Sequence, residues 1–153
     1  MKKQDLIAAP LMVVCGLLTF GSPANAQPDD KACSDRTLQG SYGFAVEGVV
    51  LPAPGVALPI RGVHMTRFDG RGNLTQVDHI LVNGTPPPIQ WTAVTGTYHL
   101  NGDCTGTMHL TGSGGFVNLI IVVVRQGKEI RTVVTAPFDG PDRTVTSVGT
   151  KVD

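Results

Sequence analysis

The segment Phe116-Val-Asn-Leu-Ile-Ile-Val-Val-Val124 is the most apolar run outside the N-terminus. It is short for a helix and rich in β-branched side chains, so it reads as a strand. Alternation puts Phe116, Ile120, Val122 and Val124 on one face, and Val117, Leu119, Ile121 and Val123 on the other. Both faces are apolar, so something must cover each of them.

From Ser41 onward the pattern contains no helical period. Runs of Val, Thr and Gly alternate with turn residues, which predicts an all-β domain. Eight strands are expected: Ser41–Val50, Ile60–Phe68, Asn73–Val82, Gln90–Leu100, Cys104–Thr111, Phe116–Arg125, Glu129–Ala136 and Arg143–Lys151. Most connections are tight and pair Gly with Asn or Asp, as in Asp69-Gly-Arg-Gly72 and Asn101-Gly-Asp103. Two are longer and Pro-rich, Leu51–Pro59 and Asn83–Pro88. Short connections join sequence neighbours as antiparallel pairs, and an eight-stranded meander buries its edges by closing. The expected fold is therefore an eight-stranded antiparallel up-and-down β-barrel.

Within that barrel the period-2 pattern assigns faces. Tyr42, Phe44, Val46 and Val50 share one side of the first strand; Val94, Gly96, Tyr98 and Leu100 share one side of the fourth. Gly106, Met108 and Leu110 do so in the fifth. A three-residue loop, Asn101-Gly102-Asp103, pairs Leu100 with Cys104 and lets the apolar faces agree.

The chain begins Met1-Lys2-Lys3, continues with an apolar stretch from Leu6 to Phe20 and reaches Ala24-Asn-Ala26. That is the form of a secretory signal peptide cleaved after Ala26, which would carry Cys15 away; the apolar stretch is too short for a comfortable membrane span. The expected division is a signal peptide at 1–26, a lead-in at 27–40 and the barrel at 41–153. Removing Lys2, Lys3 and Asp5 leaves 10 basic and 11 acidic residues with no block of one sign. Nucleic acid and anionic membrane surfaces both need a basic footprint, so neither is an expected partner. Cys33 and Cys104 are the two remaining cysteines and, in an oxidising compartment, read as one disulfide. The bridge would fold the lead-in across one end of the barrel.

The series Cys33…Leu38-x-Gly40-Ser-Tyr42-Gly-Phe44, Phe68-Asp-Gly-x-Gly72 and Gly96-Thr-Tyr98…Asp103-Cys-Thr-Gly106 resembles a pattern in small secreted bacterial β-barrel proteins of uncharacterised activity. The resemblance implies fold and compartment and no activity. In outline the expected barrel is also similar to calycins and to the barrels of allene oxide cyclases and dirigent proteins, an analogy of fold alone.

Candidate chemistry is sparse. His64, His79, His99 and His109 lack a His-x-His spacing, and no catalytic Ser or Cys motif or carboxylate pair is present, so neither a metal nor a cofactor is expected. If Gly70-Arg71 closes the second hairpin, His64 faces Val77 and His79 faces Gly62. The two histidines would then share a face, with Asp78 on the opposite one. Arg61, Arg67, Gln76 and Asp78 would share that opposite face; both faces are mixed, so the pattern leaves open which of them turns inward. The Asp69 and Asp139 loops lack the oxygen ligands of a calcium site and read as turns.

Two functional classes remain, with a filled barrel in a structural or interaction role beside them. One is a binding module holding a small apolar ligand in its lumen, lined by Tyr42, Phe44, Tyr98, Met108, His64 and His79, with Trp91 at the mouth. The other is a cyclase or isomerase shaping an apolar substrate, with Tyr98, His64, His79 and Arg131 as its polar groups. A closed barrel covers only one face of Phe116–Val124. The exposed face predicts a homo-oligomer through that strand.

Overall fold

The computed structural model describes residues 32–152. The expected signal peptide, its cleavage point and residues 27–31 of the lead-in lie outside them. A short 3-10 turn, Asp35–Leu38, precedes eight strands: β1 (Gly40–Ala53), β2 (Val56–Phe68), β3 (Asn73–Val82), β4 (Thr92–Leu100), β5 (Thr105–Gly112), β6 (Gly115–Val124), β7 (Glu129–Phe138) and β8 (Asp142–Val152). All are antiparallel to their sequence neighbours. Pairing of β1 with β8, from Ser41↔Val152 to Leu51↔Asp142, closes the barrel. Among the described residues no helix is long and apolar enough to cross a membrane.

The barrel has two unlike ends. One collects the turns 69–72, 101–104 and 125–128 together with the 3-10 turn, and it is packed solid. Leu38 enters it fully buried, beside Tyr42, Phe68 and Tyr98. Phe68 stands between the two tyrosines, edge-on to each, with ring centroids 5.3 Å from Tyr42 and 5.0 Å from Tyr98. Both phenols find partners, as buried hydroxyls must. Tyr42 donates to the Gly127 carbonyl and Tyr98 to the Asp35 carbonyl. Asp35 also accepts the Leu100 N–H at 2.7 Å, and Cys33 donates its own N–H to Gly102 at 3.0 Å. The Cys33–Cys104 disulfide, Cα–Cα 5.0 Å, fastens this plug.

The other end carries the turns at 54–55, 83–91, 113–114 and 139–141 and forms a mouth. Here the expected Leu51–Pro59 loop gives way to structure. β1 and β2 run on to Ala53 and Val56, so most of that stretch is a projecting hairpin turned at Pro54-Gly55, with a register shift between Val50 and Ala53. Proline is tolerated because these strand ends lie beyond their other neighbours and need no donor there.

Two turn registers differ from expectation. In the β4–β5 turn Leu100 pairs with Gly106 and Tyr98 with Met108, each partner two residues later than a loop of Asn101–Asp103 would give. Asn101 N–H donates to Thr105, and Cys104 sits inside the turn at φ 67 instead of in the strand. The shift moves the partner by two residues, so inward faces are preserved. The β2–β3 turn departs by one, with larger consequences described below.

Candidate functional site

Inward side chains alternate along every strand, and toward the mouth they become smaller and partly polar. The result is a cavity of about 350 Å³. Its walls are mostly aliphatic, from Val46 and Ile60 on one side to Leu119 and Val134 on the other, and Arg143 and the 112–115 turn form its rim. His64, Gln76, Asp78 and Thr92 interrupt the apolar lining on β2, β3 and β4; Thr132 and Ser147 interrupt it on β7 and β8, across the lumen.

This arrangement follows from the β2–β3 turn. Asp69 N–H donates to Asn73, leaving a three-residue loop, Gly70-Arg71-Gly72, where two residues were expected. The Asp69 carboxylate accepts from Asn73 Nδ2, Asn73 N–H and Arg71 N–H, and those bonds hold its pKa below the usual carboxylate value. Gly70 and Gly72 take the positive φ values, 75° and 98°, that the loop requires. One added loop residue flips β3 relative to the expected register. His64 therefore pairs with Asp78, not Val77, and His79 pairs with Val63, not Gly62. His64, Gln76 and Asp78 line the lumen, while Arg61 and Arg67 lie on the exposed outer side of β2. The expected His64/His79 pair does not exist, and the four-residue polar face of this hairpin is divided between inside and outside.

On the β2–β3 wall the polar groups are linked. His64 Nδ1 lies 3.0 Å from Thr66 Oγ1, and Thr66 donates to Gln76 Oε1 at 2.8 Å. Asp78 lies two residues further along the same lumen-facing side of β3. Burial raises the Asp78 pKa, with the nearby Gln76 amide and the His79 charge opposing it. Burial alone pushes His64 down to about 4. The His64 imidazole stacks on Phe44 with centroids 4.3 Å apart and planes 18° from parallel. Across the lumen the Thr132 and Ser147 hydroxyls bond each other at 2.7 Å.

Of the seven side chains expected to hold a ligand, His64 lines the cavity and Phe44 backs it from behind the imidazole. Tyr42, Tyr98 and Met108 point inward as expected but belong to the packed core. Trp91 and His79 sit together outside the cavity, ring centroids 6.1 Å apart, and His79 Nδ1 is 2.6 Å from the Gln90 carbonyl oxygen. Trp91 borders a shallow outer groove with Val63, Met65 and Val148. The sequence reading missed Thr66, Thr92, Thr132 and Ser147 as inward groups and set Gln76 and Asp78 on an undecided face. Continuing the alternation backward from Phe68 and forward from Leu74 would have found the β2 and β3 members. Among the described residues no three His, Cys, Asp or Glu side chains converge on a possible metal position.

No family model matches the chain, and no curated protein matches it. Among solved structures it is similar to a de novo designed fluorescence-activating beta barrel, at 12% identity and a TM-score of 0.49, covering 77% of this chain and 96% of that one. At that level the likeness informs neither ligand nor mechanism.

Proposed function

We propose that this chain is a secreted or periplasmic β-barrel that binds a small, mainly apolar molecule in the lumen at its mouth. The observation that carries the reading is the cavity itself: about 350 Å³, aliphatic for most of its wall, with a few polar groups in fixed positions. Ligand pockets share that composition and begin at roughly 300 Å³. The disulfide supports an oxidising compartment. The likeness to small secreted bacterial barrels is part of the same proposal. Its motif residues Leu38, Tyr42, Phe68 and Tyr98 build the packed end, which leaves the mouth free to differ in what it takes.

Native mass spectrometry of freshly purified protein tests this, together with titration of an uncharged, environment-sensitive naphthalene dye. The expected result is a co-purified small molecule or one dye per barrel, and loss of dye binding when Val134→Phe fills the lumen. Dye binding that survives in a folded Val134→Phe variant would place it elsewhere and end the reading.

A second proposal concerns assembly. Ile120 and Val122 on β6 are 43% and 41% exposed, beside Val133 on β7. Adjacent apolar side chains on an outer wall mark an interface, and we assign it to a second copy of the chain.

A further inference from the structure

The polar series on the β2–β3 wall has a direction, set by the Thr66 hydroxyl. It donates to Gln76 Oε1 at 2.8 Å, an amide oxygen that can only accept. Thr66 spends its single hydroxyl proton on that oxygen, so toward His64 it offers lone pairs only. His64 Nδ1 must then carry the ring proton. A neutral imidazole has one N–H, so Nε2 is left as an acceptor. Burial disfavours a second ring proton, pushing the pKa to about 4, so the ring is neutral at pH 7. Among the described residues Nε2 makes no hydrogen bond, and His64 lines the cavity.

We propose that the lumen is built to receive a hydrogen-bond donor: a molecule with an apolar body and a hydroxyl or ammonium group, taken by His64 Nε2 and the Asp78 carboxylate, in preference to the matching carboxylate. This deepens the ligand reading and rests on it. The other charged groups agree. Arg143, the cation at the rim, gives Nη2 to the Asp139 carbonyl at 2.6 Å and Nε to Pro141 at 3.2 Å, and lies over the Phe138 ring. Arg61 is on the exposed outer side and leans on Glu47 at 3.8 Å. Thr132 and Ser147 have one hydroxyl proton left between them after their mutual bond, and so discriminate weakly.

The test is displacement of the uncharged naphthalene dye at pH 7 by octan-1-ol, octylammonium and octanoate, which share one apolar body. Both donors should displace the dye at least tenfold more tightly than octanoate, and His64→Phe or Asp78→Asn should shrink that margin. Octanoate binding as well as octan-1-ol overturns the donor preference while leaving the lumen a ligand site. No dye binding and no effect of any of the three, in protein folded by circular dichroism, ends both readings. Nitrogen-15 NMR of the His64 ring supplies a readout free of any ligand: Nδ1–H is expected, and an Nε2–H tautomer overturns the proposal.

Discussion

Phe44 lies against Gly149, its ring occupying the place where a β-carbon of residue 149 would stand. Gly149 faces inward on β8 and pairs with Phe44 on β1, so the ring covers bare backbone where the two ends of the sheet meet. Gly149→Ala should displace that ring and the His64 imidazole stacked on it. The expected cost is about 1–3 kcal/mol, the range for overpacking, measured by urea denaturation. A variant as stable as the parent would show that Phe44 has room to move.

Acid should destabilise the barrel through His64. Its ordinary pKa is 6.5 and burial lowers it to about 4, so the unfolded chain takes the proton first as pH falls. The contribution is present above pH 6.5 and is lost progressively toward pH 4. Between pH 7 and pH 5 the loss is about 2 kcal/mol. Asp78 faces His64 and works in the opposite sense near its own titration, because burial raises its pKa. Denaturation curves at the two pH values check the sign, and His64→Phe should flatten the difference. An equal slope in the variant would assign it to other groups.

Removing the disulfide should act on one end only. The bridge spans 71 residues, for which chain entropy alone gives about 4 kcal/mol. Cys33→Ala with Cys104→Ala should lower the unfolding midpoint. It should also speed hydrogen exchange at Leu100 N–H, which donates to Asp35 on the tethered lead-in. Unchanged exchange there would mean that the plug holds by packing alone.

Ile121 and Val122 are neighbours with opposite fates. Ile121 is fully buried; Val122 looks out. Val122→Lys should shift the sedimentation of the protein toward monomer with little change in stability. Ile121→Lys should unfold the barrel, since it buries an unpaired charge. A parent that already sediments as a monomer at high concentration would remove the proposed interface.

Strand count, order and disulfide were legible because each rests on local signals: β-branched runs, Gly-Asp turns and an even pair of cysteines. The inward faces of β1, β4 and β5 were legible too, since aromatics and long aliphatics recur there at every second residue. The candidate site was not. It sits where β2 and β3 carry polar residues on both faces, so hydrophobicity does not choose a register and a single loop residue does. Asp69 chose it, by accepting three hydrogen bonds across a longer loop. The Leu51–Pro59 stretch misled for another reason: proline argues against a strand only where its missing N–H would have had a partner.

The first and last strands pair along their lengths, and Gly40 and Val152 both lie at the packed end. A tag, linker or solid support joined at Val152 stands a whole strand length from the mouth. Immobilised that way, barrels present their openings to solvent in one orientation, and a surface-based binding assay would read the lumen without obstruction.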